Sequence, residues 1–226
     1  FRPDVRRTPL WGLGCAGGVA GLSLAFHDLL GHPRERVLVF AAEMCTLTFL
    51  SDDHSTSNLV ATALFSDGAA VALLAGDETG DEGYQLLETR STLYPDSLEI
   101  MGWNVLARGL QVVFSQRIPT IIAEHAADDL DALLATRGLD RSSVQEFLYH
   151  PGGPKVLHSY AEAYGMSDER FHRSRQVLAD HGNMSSVTVL YVLAHYMAEH
   201  RPGRPGFGVV SALGPGFSSE SVLMKL

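Results

Sequence analysis

Two short, continuously apolar runs constrain the fold of this 226-residue chain more than any other feature. Residues 37–42 read VLVFAA and residues 69–75 read AAVALLA, and each has the length of a strand that is buried on both faces. Elsewhere apolar residues recur at helical spacing, as in Ile122, Ala126 and Leu130. Strands that alternate with helices predict a layered α/β fold, with mostly parallel sheets and helices on their faces.

The acidic, glycine-containing stretch at residues 76–83 is typical of a surface linker. It divides the chain into two predicted halves, residues 1–83 and residues 84–226. The first residues contain neither an initiator methionine nor the apolar stretch of a signal peptide. We therefore expect the chain to start within a longer protein, so that its N-terminal half is incomplete.

Charge and apolar content exclude two broad classes of function. With 26 acidic and 17 basic residues the net charge is -9, which argues against a sequence-independent nucleic-acid binder. No apolar run approaches the roughly 20 residues that a membrane-spanning helix requires. The two cysteines, Cys15 and Cys45, cannot build a disulfide framework, which suits a reducing compartment. We therefore expect a cytoplasmic protein without a membrane span.

Cys15 is the strongest candidate nucleophile. It is flanked by glycines and precedes Val19, Leu22 and Phe26, which recur at helical spacing, so it falls at the start of a predicted buried helix. A thiol at that position lies in the positive end of the helix dipole, which favours the thiolate. The alternative is that Cys15 is a small buried hydrophobic residue, as free cysteines often are.

His150 and Asn183 could support such a nucleophile. His150 ends a predicted short strand and precedes Pro151-Gly152-Gly153-Pro154, a rigid turn that would position its imidazole as an acid, base or hydrogen-bond donor. Asn183 precedes a predicted helix, where its amide could donate to a developing oxyanion. The alternatives are a core or capping histidine and an ordinary turn asparagine.

Five sequence blocks resemble the type III polyketide synthases, the chalcone-synthase-like family, and they run in family order over essentially the whole chain. They are Gly14-Cys15-Ala16-Gly17-Gly18, Ala63-Leu64-Phe65-Ser66-Asp67-Gly68-Ala69-Ala70, His150-Pro151-Gly152-Gly153-Pro154, Gly182-Asn183-Met184-Ser185-Ser186 and Gly214-Pro215-Gly216-Phe217. A match of five blocks in order is far more specific than any single motif.

The resemblance implies a thiolase-like fold of two similar α/β halves. Cys15 would be acylated by a starter acyl-CoA, and malonyl-CoA would be decarboxylated and condensed repeatedly. His150 and Asn183 would stabilise the enolate and the tetrahedral oxyanion, and an imidazolium at His150 would favour the thiolate. Acyl-CoA and malonyl-CoA are then the expected partners, a homodimer is the expected assembly, and no cofactor is required.

Further residues are expected to bind substrate. Phe65 matches the gatekeeping aromatic of the family, Val112 stands at the place of the second gatekeeper with Phe114 two residues on, and Cys45 matches a position that borders an acyl-binding tunnel. Core packing is the alternative for Phe65 and Cys45. The remaining expected contacts are Gly152, Gly153, Ser185, Gly214, Pro215 and Gly216.

The product class is predicted by the same resemblance. Residues 43–47 and 89–98 are most similar to bacterial members that form alkylpyrones. We therefore expect a long-chain fatty acyl-CoA starter and an alkylpyrone or alkylresorcinol product.

Other functions stay open at this point. A ketoacyl synthase III of fatty-acid synthesis uses the same combination of Cys, His and Asn as catalytic residues. A thiolase is disfavoured, because it would need a second catalytic cysteine near the C-terminal Gly-Pro-Gly block. A truncated, inactive chain that serves only as an assembly piece is the non-enzymatic alternative, and we expect residues 1–226 alone not to turn over acyl-CoA. Asp52, Asp53 and His54 are adjacent and lack a second cluster, so we predict no metal site.

Overall fold

The computed structural model describes residues 2–226, which form six α-helices and eight β-strands. The helices are α1 Gly17–Gly31, α2 Thr56–Leu64, α3 Ile118–Ala135, α4 Pro154–Tyr164, α5 His172–His181 and α6 Ser186–Glu199. The strands are β1 Arg36–Met44, β2 Asp67–Ala75, β3 Gln85–Leu93, β4 Met101–Leu106, β5 Gly109–Phe114, β6 Val144–Tyr149, β7 Phe207–Gly214 and β8 Ser218–Lys225.

The main sheet has four strands in the order β3-β8-β7-β6, and helices cover both of its faces. On one face Val209 and Leu223 pack with α3 and α4. On the other face Val210 and Val222 pack with α1 and α6. The far sides of α1 and α6 contact a second sheet, formed by β1 and β2. Helices α1 and α6 therefore form a central layer between two sheets, which confirms the predicted layered α/β fold.

The strand directions differ from the prediction of mostly parallel sheets. Among the eight strands described for residues 2–226, only β6 and β7 pair in parallel, and the other strand pairs are antiparallel. The apolar composition of a strand indicates that it is buried, whereas its direction relative to a neighbouring strand depends on the connection between the two. The short turn after Gly214 can only form a hairpin of β7 and β8, whereas helices α4 to α6 carry the chain back so that β7 runs parallel to β6.

Strands β1 and β2 are not buried on both faces, in contrast to the prediction. Their side chains alternate between half-buried and exposed, so that Phe40 is 67% exposed opposite Val71 on the outer face. On the inner face Val39 pairs with Ala72 and lies on the side of α1 and α6. An apolar run shows that a face is suited to burial but does not show what covers it.

Residues 76–83 contain neither a helix nor a strand, as expected for a linker, and the division into two halves stays a prediction. A hairpin of β4 and β5, which the sequence did not predict, is tied to the segment before α2. The guanidinium of Arg108 forms an ion pair with Asp52, and Gln111 Nε2 donates to Asp53 Oδ2 at 2.7 Å. These aspartates therefore anchor a hairpin.

Candidate active site

Cys15 lies in a single 3-10 turn, Gly14–Ala16, that leads directly into α1. The predicted placement at the start of a buried helix is therefore confirmed, since Ala16 and Val19 are fully buried and Cys15 itself is half-buried. This position brings the thiol to one end of the central helical layer.

The Gly214-Pro215-Gly216 turn supports the cysteine turn by close packing. A Cβ on Gly14, whose φ is +46°, would lie 2.7 Å from Pro215 Cδ, and a Cβ on Gly214 would lie 2.5 Å from the Leu13 carbonyl oxygen. These distances leave no room for a side chain at either glycine. Substrate binding by Gly214, Pro215 and Gly216 stays a prediction.

Asn183 is 1% exposed and is fixed by backbone pairing to the segment around Phe65. Its N–H donates to the Leu64 carbonyl at 2.7 Å, and its carbonyl accepts from the Ser66 N–H at 3.0 Å. Its side-chain Oδ1 accepts from the Ser185 N–H at 2.9 Å. Because Oδ1 is used in this way, the amide NH2 is the group left to face the site.

Ser185 has an unusual backbone conformation between Asn183 and helix α6. Its φ is +51°, one of only two positive values for non-glycine residues within the described range. It stands at the N-cap position of α6, but its hydroxyl makes no capping hydrogen bond. Hydrogen bonding from the Ser185 side chain lowers the pKa of the Cys15 thiol. Strain of this kind, at about 1–3 kcal/mol, is typical of functional sites.

His150 directly follows β6, as predicted, and is 5% exposed. Its backbone N–H donates to the Ser211 carbonyl at 2.8 Å. A Cβ on Gly152 would lie 3.9 Å from Nε2, so the ring lies beside the glycine turn. Within residues 2–226 neither ring nitrogen has a hydrogen-bond partner. The imidazole is therefore positioned by its surroundings while both nitrogens stay available.

Burial disfavours the charged form of both candidate reactive groups. It raises the pKa of the Cys15 thiol to about 11, the Glu43 carboxylate raises it too, and hydrogen bonding from Ser185 and Asn183 lowers it. Burial lowers the pKa of His150 to about 4. Burial thus opposes each charge taken singly. The expectation that an imidazolium at His150 favours a thiolate at Cys15 stays a prediction.

Two aromatic rings lie close to Phe65, which directly follows α2 and is half-buried. The ring of Phe114 lies 5.8 Å from the Phe65 ring in an edge-to-face arrangement, and the Trp103 ring lies 6.4 Å away. Val112 is buried and pairs with Trp103 across the hairpin. Phe114 is thus the residue on β5 whose ring contacts Phe65.

Cys45 begins a short turn after β1 and lies close enough to Cys15 for their charges to interact. Burial raises the pKa of Cys45 to about 12, and Glu43, Cys15 and Asp67 raise it further. The role of Cys45 in an acyl-binding tunnel stays a prediction.

The structure brings Cys15, Asn183 and Ser185 together, with Cys45 nearby. The glycine turn after His150 adjoins the segment that pairs with Asn183, since a Cβ on Gly153 would lie 3.9 Å from Leu64 Cδ1 and the Leu64 carbonyl accepts from the Asn183 N–H. The sequence did not single out Glu43, Ser186 or Trp103. A charged residue at the end of an apolar strand was the one indication that could have identified Glu43.

Residues 2–226 contain neither a candidate membrane-spanning helix nor a candidate metal site. Across these residues, no helix has both the length and the apolar content to cross a bilayer. No group of three or more His, Cys, Asp or Glu side chains in that range could hold a metal ion.

Comparison with known proteins is consistent with this geometry. Residues 1–78 match the family model of chalcone and stilbene synthases, N-terminal domain, and residues 85–226 match that of the C-terminal domain. The putative chalcone synthase of Bacillus subtilis (strain 168) is 39% identical over 231 residues, covering 100% of this chain and 63% of the relative.

Two tetrahydroxynaphthalene synthases are also similar. The 1,3,6,8-tetrahydroxynaphthalene synthase of Streptomyces peucetius subsp. caesius is 42% identical over 228 residues, covering 100% of this chain and 60% of the relative. The chain thus spans about three fifths of these relatives' length. The crystal structure of the Streptomyces coelicolor A3(2) enzyme, a bacterial type III polyketide synthase, superimposes with a TM-score of 0.94 at 28% identity, over 100% of this chain and 64% of that one. The chain therefore belongs to the chalcone and stilbene synthase family of type III polyketide synthases.

Proposed function

We propose that this protein catalyses the repeated decarboxylative condensation of malonyl-CoA onto an acyl group carried by Cys15. The observation that carries the proposal is the placement of Asn183, whose backbone pairs with Leu64 and Ser66 and whose Oδ1 accepts from the Ser185 N–H; hydrogen bonding from Ser185 and Asn183 also lowers the pKa of the Cys15 thiol. A preorganised amide donor beside a nucleophile suits reactions in which charge develops on a carbonyl oxygen.

In the proposed acylation, a proton moves from Cys15 to His150. The sulfur of Cys15 attacks the thioester carbonyl while its proton passes to a ring nitrogen of His150, which has no other partner among the described residues. The carbonyl oxygen takes the negative charge and accepts a hydrogen bond from the Asn183 NH2. The C–S bond to CoA then breaks, and the CoA thiolate takes the proton from His150.

Extension uses the same donors. Malonyl-CoA loses CO2, and the electron pair of the broken C–C bond stays on the thioester as an enolate whose oxygen is stabilised by Asn183 and His150. The enolate carbon attacks the acyl thioester, a C–C bond forms, and the Cys15 thiolate leaves. An apolar wall at Phe65, Phe114 and Trp103 favours the decarboxylation, because a charged carboxylate becomes neutral CO2.

Acyl transfer to the protein tests this proposal. We expect incubation of the complete enzyme, and not of residues 1–226 alone, with an acyl-CoA to add one acyl mass, located by peptide mapping on Cys15. Cys15→Ala should abolish the adduct and Cys45→Ala should keep it. Asn183→Ala should still be acylated but should decarboxylate malonyl-CoA about 10²-fold more slowly. An acyl group on Cys45 in the wild type contradicts the assignment.

A long-chain acyl-CoA starter and an alkylpyrone or alkylresorcinol product are the finer part of the proposal. Cys45, a small side chain near Cys15, supports it, because a small residue leaves space beside the nucleophile for an alkyl chain. Each buried methylene contributes about 0.8 kcal/mol, so a long chain would outweigh its ordering cost.

A larger side chain at Cys45 tests the starter. We expect Cys45→Phe to shift kcat/KM toward short acyl-CoA starters, while Cys45→Ser, of nearly equal size, keeps the wild-type order. If Cys45→Phe still prefers long chains with unchanged kcat/KM, Cys45 does not line the acyl path.

A further inference from the structure

Helix α5 lies next to both segments that carry the candidate donors. Only Gly182 separates the end of α5 from Asn183. Near the middle of the helix, Val177 is buried in the same apolar cluster as Leu148 of β6, the strand that His150 directly follows. The helix therefore packs against one donor segment and leads into the other.

A buried serine ties α5 to the peptide group in front of His150. Ser174 is fully buried, and its Oγ donates to the Tyr149 carbonyl at 2.6 Å. The N–H of His150, which belongs to the same peptide group, donates to the Ser211 carbonyl at 2.8 Å. Both polar atoms of this peptide group are thus bonded, one to α5 and one to β7. The peptide plane from which the His150 residue starts is therefore fixed.

A second serine is bonded to the other end of α5. Ser66 Oγ donates to the His181 carbonyl at 2.5 Å, and the Ser66 N–H donates to the Asn183 carbonyl at 3.0 Å. The His181 carbonyl is one of the last in α5, where the helix itself supplies no partner. Ser66 therefore holds the chain on both sides of Gly182, directly before Asn183 and at Asn183 itself.

These two hydrogen bonds differ from those that hydroxyls in helices commonly make. A serine within a helix often donates to the carbonyl four residues earlier, as Ser159 does to Lys155 at 2.9 Å in α4. Ser174 instead bonds to a strand residue 25 positions earlier, and Ser66 bonds to a carbonyl 115 positions later. Because a helix rises about 1.5 Å per residue, the stretch from Ser174 to His181 is a rigid spacer of about 10 Å between the two bonds.

We propose that α5 sets the distance between His150 and Asn183, with Ser174 and Ser66 as the positioning residues that fix its two ends. Neither serine needs to touch the substrate, since each acts through the backbone next to a donor. The proposal rests on the proposed function, because it takes His150 and Asn183 as the donors to the enolate of malonyl-CoA.

The test is the rate at which the complete enzyme decarboxylates malonyl-CoA. A displacement of about 1 Å can cost about 10²-fold in rate, so a partial displacement of a donor in Ser66→Ala or Ser174→Ala should lower kcat about tenfold. We expect KM for malonyl-CoA to stay near the wild-type value, because neither hydroxyl binds the substrate. Ser159→Ala, which removes a buried hydroxyl from α4, is the matched control and should keep the wild-type kcat.

Double variants separate positioning from a general loss of stability. Asn183→Ala removes the amide that Ser66 positions, so adding Ser66→Ala to it should slow decarboxylation by less than about twofold more. Ser174→Ala combined with His150→Ala should behave in the same way. Losses that multiply in either folded double variant, or a wild-type kcat in either folded serine variant, overturn the proposal.

The variants at Ser66 also guard the test against misfolding. Ser66 is half-buried, so Ser66→Ala and its pair with Asn183→Ala supply the test should Ser174→Ala not fold by circular dichroism. A wild-type rate in Asn183→Ala contradicts the proposed function, whereas a slow Asn183→Ala beside a wild-type Ser66→Ala contradicts only the role of α5.

Discussion

Gly182→Ala is expected to disturb the one backbone pairing that fixes Asn183. Gly182 has φ +73° and ψ -168°, a region that only glycine adopts without strain. A Cβ there would lie 2.9 Å from the Leu64 carbonyl oxygen, the same oxygen that accepts from the Asn183 N–H at 2.7 Å. The added methyl group therefore pushes against an acceptor that positions Asn183.

The expected cost follows from these two contributions. The backbone conformation costs a non-glycine residue about 1–3 kcal/mol, and the contact with Leu64 forces a local displacement in addition. Reduced freedom of the unfolded chain returns about 0.4–1 kcal/mol. We expect a net loss of about 2 kcal/mol, which for a chain of this size lowers Tm by about 4–8 °C.

Gly165→Ala is the matched control, measured by denaturant and thermal unfolding beside Gly182→Ala. Gly165 ends α4 with φ +65° and ψ 37°, and a Cβ there would meet nothing within 4 Å. We expect it to lose about 1 kcal/mol or less, since only the left-handed backbone is strained. Equal losses in the two variants would refute the argument that close approach at Gly182 constrains the site.

Two further outcomes follow from burial and packing. Burial lowers the pKa of His150 to about 4, so below pH 6.5 the unfolded chain binds a proton at this residue that the folded protein does not bind. The contribution of His150 to the free energy of unfolding is therefore complete above pH 6.5 and is lost as pH falls toward 4. The total loss is about 3 kcal/mol. His150→Gln should therefore show a shallower acid limb in unfolding experiments at pH 4–7, and parallel limbs would contradict the burial argument. Phe114→Ala removes the ring that contacts Phe65; we expect a loss of about 2 kcal/mol in chemical denaturation and a relative gain in kcat/KM for bulkier starters, whereas unchanged starter preference would show that this wall does not face the substrate.

The local features of the site could be predicted from the sequence because each depends on neighbouring residues. Helical spacing after Cys15 placed the thiol at the start of α1, and the turn residues after His150 placed the imidazole at the end of β6. Both assignments needed only periodicity and turn chemistry. The order of the blocks then indicated the family.

The rest depends on contacts between residues that are distant in the chain. Glu43 and Ser186 are 143 residues apart, and no local pattern indicates that a strand-end carboxylate bonds to the first residue of α6. The β4–β5 hairpin was missed for a similar reason, since its support comes from Asp52 and Asp53 in an earlier segment. Strand direction, too, followed from connections and not from composition.

The cost of burying charge at Cys15 and His150 bears on when charge appears in the proposed reaction. A preformed thiolate and imidazolium would both be buried, and burial opposes each of them, as the raised pKa of Cys15 and the lowered pKa of His150 show. Glu43 opposes the thiolate further. The favourable course is therefore proton transfer that accompanies attack, so that negative charge moves from sulfur to the substrate oxygen as it forms. At that oxygen the Asn183 amide can donate, because backbone pairing to Leu64 and Ser66 already holds Asn183 in place.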